Sequence, residues 1–199
     1  DVCSSDLDAI FQVCDRFQVS GILTLGALLA EVSHSRPVRV NGSATEGELA
    51  TALAVDPRSR STYQGPTGIV GVINQMARDR GIPAGSLWAN MPFYVQRTPN
   101  PKGTLAILER LNAAFRFDLT LHDLEVFAAR FDAQVASDIE GNPEVAEYAR
   151  RVTEETDEDD EPQIIQPPDR DELPDAEAMV DELERFLREQ RNDPGSSTS

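Results

Sequence analysis

The sequence has little of several residue types that mark particular classes of protein. Only two of its 199 residues are cysteine, Cys3 and Cys14, too few for a disulfide framework, so we expect a reducing, cytoplasmic location. The only lysine is Lys102, and 18 basic residues stand against 35 acidic ones. Nucleic-acid binding depends on cations that neutralise phosphates, so this balance opposes a nucleic-acid partner. No run approaches the roughly 18 apolar residues of a membrane span, so no membrane partner is expected.

The acidic excess is concentrated near the end of the sequence. Residues 154–199 contain 17 acidic and 4 basic side chains, whereas residues 1–153 contain 18 and 14. Residues 154–174 combine seven carboxylates in their first eight positions with four prolines, which predicts a disordered acidic linker. Residues 175–190 regain a helical apolar spacing, and residues 191–199 are expected to be a disordered tail. The apolar positions of the predicted helix are Met179, Leu183, Phe186 and Leu187.

The first seven residues, DVCSSDL, look like a remnant translated from a sequencing adapter. This interpretation predicts that the natural protein begins upstream and that the chain is truncated at its amino terminus. An ordinary flexible terminus is the alternative. On either view, residues 8–153 form the body of the protein.

Hydrophobic periodicity predicts that helices and strands alternate along residues 8–153. This alternation is typical of a three-layer α/β fold with a mostly parallel sheet. The predicted strands are residues 19–25, 38–40 and 86–95, and the predicted helices are residues 8–17, 46–53, 68–80, 104–115, 121–139 and 143–151.

A glycine-rich turn opens the predicted helix at residue 68. It contains Tyr63, Gly65, Thr67 and Gly68, and free N–H groups at such a helix start can hold an anion. The segment matches neither the Walker pattern nor the dinucleotide-binding glycine pattern. Close packing of glycines against a sheet is the alternative, and we favour it.

A loop after the first predicted strand contains His34 and Arg36. Loops at the carboxyl ends of parallel strands line the usual ligand crevice of α/β proteins. There a histidine can act as a general base and an arginine can bind an anion, although a structural hydrogen-bonding corner is the favoured alternative. Neither a nucleophile motif nor metal-ligand spacing accompanies them, so no catalytic residue, metal or cofactor is predicted.

The third candidate feature is an aromatic segment, residues 88–102, that runs from the last predicted strand towards the next helix. A rigid aromatic loop suits a pocket rim or a protein interface, while burial of its aromatic rings in the core is the alternative. The candidate residues in this segment are Trp88, Asn90, Tyr94, Asn100 and Lys102.

Five motifs in a fixed order resemble the bacterial branch of the proteasome assembly chaperone 2-like family. The resemblance covers residues 8–150 and implies a phosphorylase/hydrolase-like α/β fold, self-association and a chaperone-like role. It also implies that the opening strands of the family domain are missing. The motifs are Leu25-Gly26-Ala27-Leu28-Leu29, His34-x-Arg36-Pro37-Val38, Tyr63-x-Gly65-Pro66-Thr67-Gly68-Ile69, Leu87-Trp88-Ala89 and Pro99-Asn100-Pro101-Lys102.

The sequence and the resemblance together predict a non-enzymatic protein-interaction module resembling a proteasome assembly chaperone. Its expected partners are further copies of itself and proteasome subunits or other protein clients. The alternative is an enzyme or binding protein for nucleosides or phosphates on a phosphorylase-like fold. The helix at residues 175–190 is expected to bury its apolar face, preferably on a neighbouring subunit and otherwise on its own body.

Overall fold

A computed structural model describes residues 2–55, 68–95, 97–155 and 164–165. The elements along the chain are α1 (Val2–Phe17), β1 (Ile22–Ala30), β2 (Val40–Ala44), α2 (Gly47–Ala52), α3 (Ile69–Asp79), β3 (Ala84–Pro92), α4 (Pro101–Phe115), α5 (His122–Glu140) and α6 (Pro143–Glu155). The α/β class is therefore confirmed. Residues 2–7, interpreted from the sequence as non-native, lie in α1, and the side chain of Leu7 is buried.

The three described strands form a mixed sheet of order β1-β3-β2. β1 and β3 are parallel, but β2 is antiparallel to β3, so the predicted mostly parallel sheet is wrong. Parallel strands need a crossover of about a dozen residues or more, usually a helix. Residues 31–39, which join β1 to β2, are too few and contain no helix. The longer connection from β2 to β3 contains α2 and α3 and brings β3 back beside β1.

Helices cover both faces of this sheet because side chains alternate along β3. On one face, Ala84 packs in a buried cluster with Phe11 of α1 and Ala77 of α3. On the other face, Leu87 packs with Leu53 and with Leu111 of α4. Full burial of a side chain such as Phe11 or Leu87 contributes about 1.5–3 kcal/mol, so the two clusters hold the helices on the sheet.

The sheet prediction from sequence ended the first strand too early. The strand predicted at residues 19–25 ends just before Gly26, but β1 continues through this glycine to Ala30. Gly26 lies opposite Trp88 in the register of β1 and β3, and the Trp88 indole occupies the space where a Cβ would lie. The glycine therefore makes room for a large ring inside the strand and does not end it.

The outer edge of β1 has few partners in the part of the chain that the structure describes. Its pairing there is confined to the last two residues, where Ile164 bridges Ala30 and the Ile165 N–H donates to the Leu29 carbonyl at 2.9 Å. These isoleucines belong to the segment predicted as a solvated linker. Leu25 and Leu29, on one face of β1, are 49% and 53% exposed.

The starts of α2 and α4 show how local contacts set the helix boundaries. Glu46 occupies the N-cap position of α2, while the Oγ1 of the preceding Thr45 accepts a hydrogen bond from the Ala84 N–H at 2.9 Å. α4 begins three residues earlier than predicted because the Asn100 side chain caps it and Pro101 follows in its first turn. This cap places Lys102 on the first turn of α4.

Candidate functional site

A cavity of about 260 Å³ lies beyond the carboxyl ends of β1 and β3. These strands are parallel, so the loops that follow them meet at one edge of the sheet, as expected for the ligand crevice of an α/β fold. α5 closes the cavity from the side. Five of the candidate residues predicted from sequence line it: His34, Arg36, Asn90, Asn100 and Lys102.

Most of the cavity wall is apolar. Val38 comes from the loop that precedes β2, Met91 from β3, and Phe131 and Val135 from α5. The contribution of α5 to this wall was not predicted from the sequence. The spacing of Ala128, Phe131 and Val135 marks one apolar face of that helix, but periodicity alone does not reveal which surface the face covers.

Lys102 joins three parts of the cavity wall. Its Nζ donates to the backbone carbonyls of His34 at 2.6 Å and Arg36 at 3.4 Å, and it lies 2.9 Å from Asp132 Oδ1 on α5. An ammonium group has three N–H donors, and here three oxygen acceptors surround them. We call this arrangement the Lys102 clamp. It fixes the loop at residues 31–39 to α4 and α5, and its hydrogen bonds occupy the amine that a nucleophilic role would need.

His34 and Tyr94 form a second connection across the site. The Tyr94 hydroxyl accepts a hydrogen bond from the His34 backbone N–H at 2.9 Å and is hydrogen-bonded to His34 Nδ1 at the same distance. Burial, followed by the nearby Lys102 charge, lowers the pKa of His34, while Asp132 opposes the shift. Burial also raises the pKa of Tyr94. Both side chains are therefore neutral at pH 7.

We expect His34 to make the protein less stable in acid. Its pKa is lower in the folded chain than in the unfolded chain, so protons bind the unfolded chain more readily. The resulting loss of stability is absent well above pH 6.5 and grows as the pH falls through about 6.5 towards the folded-state pKa. Urea unfolding of wild type and His34→Gln at pH 7.5 and 5.5 measures this effect.

The difference between the two proteins isolates His34 from the carboxylates that also titrate in acid. Wild type should lose more free energy of unfolding than His34→Gln between the two pH values. An equal loss in both proteins would show that His34 carries no burial penalty.

An aromatic cluster extends from Tyr94 away from the cavity. Phe93 lies edge-to-face with both Tyr94 and Tyr148 of α6, at centroid distances of 6.0 and 4.9 Å. The Tyr148 hydroxyl donates to Glu31 Oε1 at 3.1 Å. The aromatic segment thus packs against α6 beside the cavity. Trp88 of β3 is not part of this cluster, because its ring lies over Gly26 of β1.

α6 also holds the loop at residues 31–39 through polar contacts. The Ser33 and Thr153 hydroxyls are 2.7 Å apart, and Arg36 Nη2 donates to the Thr153 carbonyl at 2.8 Å. Ser33 is buried and Arg36 is half-buried. These contacts orient the Arg36 guanidinium at the cavity.

Asn90 is the most deeply buried polar side chain of the cavity wall, at 1% exposure. Its Nδ2 donates to the Arg39 carbonyl at 3.3 Å, while its Oδ1 is buried without a hydrogen-bond partner in the described structure. Buried polar atoms are nearly always hydrogen-bonded, so this oxygen marks a position that requires a donor.

The remaining candidate residues lie elsewhere. Gly68 is the extended N-cap residue of α3 and makes no side-chain capping bond. Tyr63, Gly65 and Thr67 lie outside the described residues, as does the predicted terminal helix with Met179, Leu183, Phe186 and Leu187.

Among the described residues, no three His, Cys, Asp or Glu side chains are grouped as ligands for a metal ion. The described helices include none that is both long enough and apolar enough to cross a bilayer.

Both the sequence and the fold of the chain are similar to those of known proteins. A sequence model described as the PAC2 family matches residues 6–138. The structure is similar to a PAC2 family protein from Streptomyces avermitilis, with 36% identity, a TM-score of 0.63 and coverage of 73% of this chain and 60% of that one. It is also similar to a proteasome-assembly chaperone homologue from Mycobacterium tuberculosis, with 36% identity, a TM-score of 0.63 and coverage of 73% and 61%.

A more distant likeness concerns the fold alone. An archaeal homologue of proteasome-assembly chaperone from Pyrococcus furiosus has 16% identity, a TM-score of 0.52 and coverage of 72% of this chain and 63% of its own. A comparison with curated proteins gives no match. The chain spans about 60% of the length of the two bacterial relatives.

Proposed function

The chain belongs to the PAC2 family, and from this premise we propose that it is a non-enzymatic, assembly-chaperone-like protein that binds proteasome components in the cytoplasm. The observation that carries the proposal is the 36% identity, over 73% of the chain, to the proteasome-assembly chaperone homologue of Mycobacterium tuberculosis. The family match at residues 6–138 includes every candidate residue of the cavity wall.

An exposed aromatic pair gives this proposal a physical basis. Phe115 and Phe117 stack with a centroid distance of 5.4 Å at the end of α4, and Phe117 is 58% exposed. Exposed aromatic rings are enriched where proteins bind each other, and truncation of a central one costs 2 kcal/mol or more. We therefore propose this pair as part of the contact with a partner.

Complex formation with purified proteasome α subunits tests the proposal. The full chain should form a complex that is separable by gel filtration at micromolar concentration, and Phe117→Ser should weaken it at least tenfold. Phe17→Ser is the matched control, because Phe17 on α1 is 71% exposed and lies outside the pair. Failure of the wild-type chain to form any complex with these subunits would refute the proposed partner.

We also propose that the chain self-associates through the predicted helix at residues 175–190. The four apolar side chains of that helix would each release about 1.5–3 kcal/mol on full burial. The double variant Leu183→Ser, Phe186→Ser should therefore shift the protein to smaller species in sedimentation velocity. An unchanged mass with lower thermal stability would show that the helix acts within one subunit.

A further inference from the structure

The cavity beside the Lys102 clamp is of a size to hold one amino-acid residue of a bound polypeptide. Its volume of about 260 Å³ falls below the roughly 300–1,000 Å³ of pockets that hold drug-sized ligands. Met91, Phe131 and Val135 supply apolar surface for one side chain. The clamp and the bonds from Ser33 to Thr153 fix the walls in advance, which lowers the entropic cost of binding.

Two polar groups at this cavity have unused hydrogen-bonding capacity. Asn90 Oδ1, at 1% residue exposure, has no donor in the described structure. The Arg36 guanidinium carries five N–H donors, of which the described contacts occupy one, to the Thr153 carbonyl. An occupant that satisfies both must provide an N–H or O–H for Asn90 and an acceptor for Arg36. A carboxylate is the acceptor that matches a guanidinium best.

The charges at the cavity favour an anion although the whole chain carries −17. The half-buried Arg36 lines it. The one carboxylate among its described lining residues, Asp132, is paired with Lys102 at 2.9 Å. Their charges therefore offset each other and leave the Arg36 guanidinium to attract an anion.

We propose that this cavity binds the carboxyl-terminal residue of a partner polypeptide. Such a residue combines an apolar side chain, a backbone N–H and a carboxylate within one residue's length. The side chain occupies the wall formed by Met91, Phe131 and Val135, the N–H donates to Asn90 Oδ1, and the carboxylate binds Arg36. This inference rests on the proposed protein-interaction function and specifies which part of a partner is recognised.

Titration of the full chain with two synthetic tetrapeptides tests the proposal. Both are acetylated and end in leucine, but one has a free carboxylate and the other a carboxyl-terminal amide. NMR signals of the Met91 methyl group report occupancy of the cavity. The acid should bind saturably in the micromolar to millimolar range, and the amide at least tenfold more weakly.

Variants of Arg36 identify the group that recognises the carboxylate. Arg36→Gln should weaken binding of the acid at least tenfold and leave binding of the amide unchanged, while Arg36→Lys should restore part of the affinity. Arg130→Gln is the matched control, because Arg130 is exposed on α5 and does not line the cavity. Val135→Phe, which fills the cavity, should abolish binding of both peptides.

Equal affinity for the acid and the amide, an unaffected Arg36→Gln variant, or no saturable binding at millimolar concentration would each overturn the proposal. Saturation by free N-acetyl-leucine with the same affinity as the tetrapeptide would also overturn it, in favour of a small-molecule site. If the complex with proteasome α subunits forms without peptide binding, the cavity proposal fails and the proposed function stands. If the peptide binds but that complex does not form, the cavity proposal stands and the proposed partner is refuted.

Discussion

Replacing Lys102 by methionine is expected to lower the free energy of unfolding by about 2–3 kcal/mol. The Lys102 side chain is 16% exposed, and its removal leaves the His34 and Arg36 carbonyls and the Asp132 carboxylate without their donor. Asp132 is 43% exposed, so water replaces part of the lost interaction and keeps the effect below that of a fully buried ion pair. Urea denaturation at pH 7 measures the change.

Arg130→Met is the control for this substitution. It removes a positive charge from α5 at an exposed position, and its effect should stay within about 0.5 kcal/mol. If Lys102→Met proves no more destabilising than Arg130→Met, the clamp does not contribute to stability.

Substitution of Gly26 by alanine is expected to destabilise the fold by about 1–3 kcal/mol and to move the single tryptophan. A Cβ at position 26 would lie within 3.0 Å of three atoms of the Trp88 ring, so the indole must leave its place on β1. Tryptophan fluorescence should then shift to longer wavelength as the ring becomes more hydrated, and thermal unfolding should begin at lower temperature.

Gly47→Ala is the matched glycine substitution, because a Cβ at that position meets no atom within 4 Å. It should change the free energy of unfolding by less than about 0.5 kcal/mol and leave the emission unchanged. An identical response of the two variants would contradict the close approach of Trp88 to Gly26.

Local patterns predicted the helices of this protein better than its sheet. The α5 helix was predicted at residues 121–139 and is found at His122–Glu140. A long helix is predicted well because its apolar spacing recurs over several turns. The direction of β2 depends on the geometry of a short connection and on pairing with a strand some 45 residues away. No periodicity within five residues contains that information.

Only part of the cavity could be predicted from the sequence, because some of its contacts join residues that are far apart in the chain. His34, Arg36 and Lys102 were found as candidates because each lies near a strand end or a helix start. Their meeting with Asp132 depends on how α5 packs against α4, which is a contact between distant parts of the sequence. Trp88 was predicted within the strand at residues 86–95 and lies in β3, but the sequence left open whether its ring faces a pocket or packs internally. The position of the ring depends on Gly26, its register partner on β1, which is distant in sequence.

The Lys102 clamp has a consequence for the kinetics of the native protein. Because Lys102 is the only lysine among 199 residues, acylation of its amine by a water-soluble ester marks one defined place in the fold. That amine donates to backbone carbonyls of residues 34 and 36, so it reacts only while these bonds are broken. The rate at which mass spectrometry detects the modified peptide, divided by the rate in the urea-unfolded chain, therefore measures the fraction of time for which the loop at residues 31–39 is separated from α4 and α5. Local opening of one loop then becomes measurable in a protein that stays folded elsewhere.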